Sequence, residues 1–451
     1  MILFVHRKDL RIEDLHAFDY IAKQATSSLH VLILDPIILK KNRHLEHSGI
    51  NFLRHAALLR REYELRNCRL HILYGEPASI IEEICGHHSI TEIVFHADFT
   101  PYAMRRDKDI HTLASMRNIK ITALQEGTLA NFSLIDQLAG RKEPFKVFTP
   151  FYRRWSESLG HGIVDESVTC VSDLQTADLS DVIRERFPVP FELPESIADS
   201  YDAIGEQFRH FLDHRLEGYI QTRDAYAMED GTSGVSRHIN TGALSVRRIH
   251  AMLQASPQAE MWKRQLAWRE FYMYQAIRNP HFFTYERQFD LSALSDRYFQ
   301  AWAQGQTGIP IIDAAMRQLN LTGMMPNRLR MVTAMFLTKN LLCPFTLGEI
   351  WFRYKLTDYD NALNRGGWLW SASLGFDAAP YFRIMNPVSQ SVRFDPEGHY
   401  IRRWLPELAH LNNRDIHQPQ PHAIVDLKAS RAQAIEIYKQ IIASQSPEPV
   451  A

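Results

Sequence analysis

The chain has 451 residues, 45% hydrophobic and 23% charged, which excludes disorder and exceeds what one ordinary core holds. A formal net charge of −1 excludes attraction of the whole molecule to a polyanion. No apolar run reaches the length of a membrane span. The scattered Cys68, Cys85, Cys170 and Cys343 form no CxxC pair, so no disulfide framework, zinc ribbon or iron–sulfur cluster is expected.

The apolar start Met1-Ile2-Leu3-Phe4-Val5 meets Arg7 and Lys8 at once and reads as a first strand, not a signal peptide; a cytoplasmic, reducing location is expected. Over residues 1–150, β-rich runs alternate with amphipathic helices, the pattern of an α/β parallel-sheet (Rossmann-like) domain. The predicted strands are Ile2 to Val5, His30 to Leu34, Leu70 to Leu73, Glu92 to Phe95 and Ile121 to Leu124. Predicted helices between them include Gly49 to Arg66 and Pro77 to Cys85. After the first strand the chain reads His6-Arg7-Lys8-Asp9-Leu10-Arg11-Ile12-Glu13-Asp14, so the nicotinamide fingerprint GxGxxG is absent.

Residues 151–201 turn irregular, with Pro188, Pro190 and Pro194 close together, and read as an inter-domain connector. An all-α domain over 202–445 follows, with helices Ile204 to Glu217, Ser245 to Ala255, Trp262 to Arg278, Ile311 to Leu321, Asn327 to Asn340 and Ala429 to Ala443. Pro310 suits a first helical turn and Gly323 a C-terminal cap. The pair His210 and His214 has ligand-like spacing but no third partner, so no metal is expected.

The most informative stretch is Asp358-Tyr359-Asp360-Asn361-Ala362-Leu363-Asn364-Arg365-Gly366-Gly367-Trp368-Leu369-Trp370. A carboxylate pair plus an amide can hydrogen-bond a polar heterocycle, and adjacent glycines let its ring approach the backbone. Two tryptophans add stacking surfaces and routes for an electron. This chemistry suits a flavin with a second aromatic guest nearby; the competing reading is a loop over a buried aromatic core. Local basic candidates for nucleic acid are Arg247-Arg248, Lys263-Arg264, Arg269, Arg328, Arg330, Arg383, Arg393 and Arg402-Arg403, although such clusters are usually solvated faces.

With these segments lined up, the chain resembles the photolyase/cryptochrome family, in its microbial class I DNA photolyase branch, over nearly its whole length. The motifs that carry the resemblance are Arg7-x-Asp9-Leu10-Arg11-x-x-Asp14, Lys146-Val147-Phe148-Thr149-Pro150-Phe151, Asp230-Gly231-Thr232-Ser233 and Trp268-Arg269-Glu270-Phe271-Tyr272. Asp313 to Leu319, Asn327-Arg328-Leu329-Arg330-Met331 and the Asp358 to Phe382 run complete the set. The resemblance implies a C-terminal FAD-binding domain, damaged DNA as partner and, with reduced FAD, light-driven splitting of cyclobutane pyrimidine dimers. It also implies a monomer that acts without a membrane.

Carried over position by position, the resemblance gives Tyr219 and Thr232, Ser233, Gly234, Val235 and Ser236 to the flavin phosphates. It gives Asp358, Tyr359 and Asp360 to the cofactor, Arg330 to the side of its ring, and Asn364 to N5. Trp268 and Trp370 would flank a flipped dimer and Met331 would lie under it, with Arg223, Arg269, Tyr272, Asn327, Arg328 and Gln390 on the DNA side. Trp368 and Asn364 are the expected catalytic pair.

Three positions depart from the pattern. Gln265 replaces a dimer-binding carboxylate; (6-4) photolyases and animal cryptochromes also carry Gln there, yet no histidine stands near Asn327 as the former require. A cryptochrome-like photoreceptor and a (6-4) photolyase are therefore the alternatives, the first disfavoured by the short tail after Ala443. In the electron-transfer chain Trp368 holds the flavin-proximal place, but the middle place falls on Phe345 and the surface place near Ser292. Slow or rerouted photoreduction is expected, with Trp351, Tyr354 and Tyr359 as another relay. Asp98 to Tyr102 and Arg105-Arg106-Asp107 resemble the deazaflavin version of an antenna pocket, while Met104 stands where folate-binding members have glutamate; a deazaflavin, a folate, a flavin or nothing fits there.

Overall fold

The computed structural model describes residues 1–24, 26–140, 143–162, 167–254 and 257–446. A parallel five-stranded sheet lies in the N-terminal part, with strands β1 (Ile2–His6), β2 (Ser28–Leu34), β3 (His71–Tyr74), β4 (Glu92–His96) and β5 (Lys120–Leu124) in the order β3-β2-β1-β4-β5. The residues of β1 are all buried, as the centre of a sheet covered on both faces requires. In register, Leu3 lies between Leu29 and Ile93, and Val5 between Val31 and Phe95. Leu3, Val5, Leu29, Ile80, Ile84, Ile93, Phe95 and Ile183 share one hydrophobic core.

The chain divides into two compact units, and their boundaries differ from the expected 1–150, 151–201 and 202–445. The first unit takes Met1–Arg141, Arg154–His214 and Ser233–Lys263; the second takes Lys142–Arg153, Arg215–Thr232 and Arg264–Ala451. The expected connector is thus largely part of the first unit. Its apolar residues Val171, Leu174, Leu179 and Ile183 are buried there, and Ser28 on β2 accepts the backbone N–H of Ala177 at 2.8 Å. Enough apolar side chains recur in this irregular stretch to bury it, which its prolines and charges obscure.

Inside the first unit the opening motif is structural. Arg7 makes a two-pronged pair with Asp107, at 2.7 and 3.0 Å. Asp9 accepts from the backbone N–H of Arg7 at 2.7 Å and bridges His6 and His96 at 3.0 and 2.5 Å. Asp14 takes the guanidinium of Arg247 at 2.9 Å and the hydroxyl of Ser245. Arg11 reaches Glu126 at 2.9 Å. These charges lie past the ends of β1 and β4, where strand order reverses and open α/β sheets usually hold ligands.

The second unit is helical. Helix Pro310–Thr322 starts on Pro310 and stops at Gly323 with φ of 72°, as expected from each residue's backbone preference. The predicted helix Asn327 to Asn340 is α only over Asn327–Met335 and continues as a π turn over Phe336–Asn340. Buried Lys339 sits in that turn with its Nζ over the Tyr438 ring at 3.1 Å, and burial pulls its pKa down to about 6. Ser245 to Ala255 is observed as Val246–Gln254 in the first unit, Ala255 lying outside the described residues. Among the described residues no helix is long and apolar enough to cross a membrane.

Candidate functional site

The stretch read as a possible loop is a helix, Asn361–Ser371, started by the Asp360 carboxylate, which accepts from the N–H groups of Ala362 and Leu363 at 2.9 and 3.1 Å. Glycines mid-helix cost stability, and here neighbours explain one of them. A Cβ on Gly366 would stand 2.1 Å from the Tyr272 ring, whereas one on Gly367 would meet nothing within 4 Å. Asn364 donates Nδ2 to the Glu349 carbonyl at 3.0 Å. Before the helix, Asp358 is buried and pairs with Arg330 at 3.0 Å. Tyr359 donates its hydroxyl to Asn361 at 2.6 Å.

Trp368 is buried, its ring 5.0 Å from Phe352 and 6.0 Å from Trp302; Gly348 leaves room for it, since a Cβ there would lie 2.1 Å from the indole. Its Nε1 is buried without a hydrogen-bond partner among the described residues. Phe345 is buried at the start of helix Phe345–Lys355 with the Arg365 guanidinium 5.0 Å over its ring, and Trp351 lies half-buried on the same helix.

Trp268, half-buried on helix Glu260–Arg278, is backed by a residue whose role sequence reasoning missed. Phe148 stacks on it at 3.7 Å and 4°. Tyr152 extends the stack beyond Phe148 at 5.6 Å, and Tyr272 flanks Trp268 at 5.9 Å. Tyr272, packed under Gly366, links this column to the helix that carries Asn364, Trp368 and half-buried Trp370. Phe148 itself is held by its N–H on Asp377 Oδ1 at 3.1 Å, while the Asp377 N–H returns to the Lys146 carbonyl at 2.8 Å.

Several basic residues expected on the DNA side already have acidic or polar neighbours. Arg328 pairs with Asp224 at 2.6 Å and lies over Phe394 at 4.5 Å. Arg269 is pulled below its ordinary pKa by burial, an effect that the carboxylates of Asp360 and Glu270 oppose. Arg223 reaches Gln265 Oε1 at 3.5 Å and lies over Tyr219 at 5.5 Å. Gln265 thus offers Arg223 the acceptor that a carboxylate would have offered. Asn327 is exposed at the start of its helix, with Nδ2 3.8 Å from the Met331 sulfur. Gln390, on helix Pro387–Phe394, buries an Oε1 that has no hydrogen-bond partner among the described residues.

The expected phosphate-binding run divides between the units. Exposed Thr232 ends a segment of the second. In the first, Ser233 accepts on its carbonyl from Gln207 at 3.0 Å, Gly234 has φ of 66°, and buried Val235 precedes the short helix that Ser236 opens. The antenna-like segment also serves local structure: Thr100 caps helix Pro101–Met116, and Tyr102 donates to Asp35. His210 and His214 stack at 4.4 Å, and among the described residues no group of three acidic, histidine or cysteine side chains could hold a metal.

Nothing in these residues opposes a flavin. The Arg330–Asp358 pair, the Asn364 amide, an unmet buried donor on Trp368 and open space beside Gly367 suit a flat, polar ring system.

Two family descriptions match, "DNA photolyase" over residues 2–168 and "FAD binding domain of DNA photolyase" over residues 262–447. The chain is 36% identical to the deoxyribodipyrimidine photo-lyase of Escherichia coli, over 80% of each protein. Its structure is similar to a bacterial class III photolyase from Agrobacterium tumefaciens, with TM-score 0.84 and 28% identity over 98% of both chains. It is also similar to an archaeal photolyase from Sulfolobus tokodaii solved with two FAD molecules, with TM-score 0.81 and 28% identity over 97% of this chain and 99% of that one. With both halves matched and this identity spread over most of its length, the chain belongs to the DNA photolyase family and carries that family's FAD-binding domain.

Proposed function

We propose that the chain repairs cyclobutane pyrimidine dimers in DNA under blue or near-ultraviolet light. The observation that carries this reading is the half-buried indole of Trp268, held flat by Phe148 and joined through Tyr272 to the helix of Trp370. Rigid stacked aromatics compensate an extruded lesion for lost base stacking, and damaged bases, being poorly paired, flip most cheaply. When bound and reduced, FAD supplies one electron to the dimer on illumination and recovers it after the ring opens.

The protein supplies binding, orientation and exclusion of water. Tyr219, Thr232 and the run Ser233 to Ser236 hold phosphates; Arg330, Asp358, Tyr359 and Asp360 hold the cofactor's polar parts. Asn364 has one amide N–H occupied by the Glu349 carbonyl, which orients its Oδ1 toward one use. On the substrate side, Trp268 and Trp370 flank the dimer, Met331 lies beneath it, and Gln265, steadied by Arg223, hydrogen-bonds a pyrimidine. Arg269, Tyr272, Asn327, Arg328 and Gln390 complete the DNA side. A second chromophore site lies around Asp98 to Asp107 in the first unit, in line with the second FAD of the archaeal neighbour. The protein works as a monomer in the cytoplasm.

The test is a repair assay on chemically reduced protein, with one oligonucleotide carrying a cyclobutane thymine dimer, another a (6-4) photoproduct, and dark controls. Light-dependent restoration of the cyclobutane substrate alone is expected. Restoration of only the (6-4) substrate would overturn the substrate assignment. Repair of neither, with flavin bound and reduced, would leave the photoreceptor reading.

A further inference from the structure

The expected electron route from Trp368 toward the surface is interrupted, since its middle place is Phe345. Phenylalanine is far harder to oxidise than tryptophan. The Arg365 guanidinium lies 5.0 Å over that ring, with its charge already met by Glu286 and Glu349. On another side of Trp368 lies a tryptophan that sequence reasoning passed over. Trp302, on helix Phe299–Gln304, is fully buried with its ring 6.0 Å from Trp368 at 72°. Phe299 follows at 6.1 Å from Trp302, and Trp351 at 6.2 Å from Phe299. The rings run from a buried indole to a half-buried one without a gap in aromatic contact.

We propose that Trp302 and Trp351 form the working relay that re-supplies Trp368, with Phe299 as an unoxidised bridge. The proposal rests on the reading of Trp368 as the flavin-proximal residue. Once Trp368 has given up an electron to the light-excited cofactor, Trp302 fills the vacancy with one electron, and Trp351 then refills Trp302. The hydrogen bonds define how far the charge travels. Trp302 donates Nε1–H to the Thr333 carbonyl at 3.0 Å, and a buried peptide carbonyl is no base, so oxidised Trp302 keeps its proton and passes the charge on. Trp351, which is half-buried where Trp302 is fully buried, donates Nε1–H to Asn320 Oδ1 at 3.2 Å. With the Lys355 ammonium 5.2 Å over its ring, oxidised Trp351 is driven to release that proton to solvent. Loss of the proton leaves a neutral radical there and blocks the return of charge. A thiol in solution then donates one hydrogen atom, in total one electron and one proton, and restores the indole.

The experiment uses the full-length oxidised flavoprotein with excess dithiothreitol under blue light. It reads flavin bleaching together with transient absorption of tryptophan radicals. Trp302→Phe and Trp351→Phe are each expected to slow bleaching at least about tenfold, and Trp351→Phe to remove the long-lived neutral radical. Trp368→Phe should abolish bleaching. If Trp368→Phe abolishes it while Trp302→Phe keeps the original rate, the relay is overturned and the placement of Trp368 stands. If Trp368→Phe keeps the original rate, the underlying placement fails, and the relay with it. A slowed Trp302→Phe beside an unaffected Trp351→Phe overturns the assignment of the exit. Flavin content and thermal melting of each variant, together with the partly exposed Trp351→Phe, keep the result separate from misfolding.

Discussion

Phe148→Leu tests whether the ring under Trp268 is a positioning residue or only core. The substitution keeps an apolar side chain at a site that is 1% exposed, so most of its burial survives. What it removes is the face-to-face stack at 3.7 Å and 4°. Aromatic pairs contribute about 0.5–1.5 kcal/mol beyond the area they bury. If that energy holds the indole in the orientation that receives a dimer, affinity for dimer-containing DNA falls roughly two- to tenfold. The assay is competition binding of a dimer-containing against an undamaged oligonucleotide at fixed salt, because phosphate contacts make both affinities salt-dependent. Tyr152→Leu is the control: Tyr152 stacks on Phe148 at 5.6 Å, on a ring that separates it from Trp268. It should lower stability by a comparable amount and leave lesion preference intact. Equal lesion preference in wild type and Phe148→Leu, with stability reduced, would refute the positioning role.

Gly367→Ala should raise the stability of flavin-free protein by about 0.5–1 kcal/mol, because the helix gains propensity and the Cβ meets nothing within 4 Å. If that open side receives the cofactor, the same variant retains less flavin; equal flavin content in both proteins would place the cofactor elsewhere. Gly366→Ala should lower the melting temperature, since its Cβ would stand 2.1 Å from Tyr272 and overpacking costs about 1–3 kcal/mol, more than the propensity gained. Asp358→Ala should release flavin on gel filtration by leaving Arg330 without its 3.0 Å partner; full retention would remove the pair from the cofactor site.

Acid sensitivity should come in part from the first unit, where His55 Nε2 and His238 Nδ1 lie 2.8 Å apart and His55 Nδ1 is bonded to the Asn51 carbonyl. Burial lowers the His55 pKa from 6.5 to about 4 and lowers His238 as well. The neutral form is the folded one, so this contribution is complete above pH 6.5 and is lost as pH falls toward about 4. His55 alone accounts for about 2 kcal/mol at about pH 5. Urea unfolding at both ends of that window checks it, with His55→Gln expected to flatten the dependence and an unchanged slope contradicting it.

Much of the fold was legible in the sequence. Parallel strands buried on both faces read as continuous apolar runs, and the five predicted strands match β1 to β5 within two residues at each end. Local start and stop signals also held, at Pro310 and Gly323 respectively. The helix Asn361–Ser371 was obscured by the property that makes it useful: its two glycines look like a loop, although Gly366 is there for the ring of Tyr272. The connector misled in the opposite sense, since spaced residues such as Val171 and Ile183 show no period yet are fully buried.

For the site, motifs and function separate. Arg7, Asp9, Arg11 and Asp14 carry much of the resemblance, yet their partners are His96, Asp107, Glu126 and Arg247, all within the first unit. Burying so many charges is tolerable only if every one is paired, so losing any member strands its partner at a cost of several kcal/mol. Such a network is therefore retained whether or not it touches a ligand. Trp302 shows the converse. It lies in no motif, and its sequence neighbours Ala301 and Ala303 give no hint of electron transfer; only the packing of helix Phe299–Gln304 against Trp368 brings it into use. Proximity along the chain pointed to Trp351, which the structure reaches through Trp302 and Phe299. A relay depends on the spacing of its rings and on which of them can be oxidised, so distant segments can replace one another in it when they bring oxidisable rings within reach.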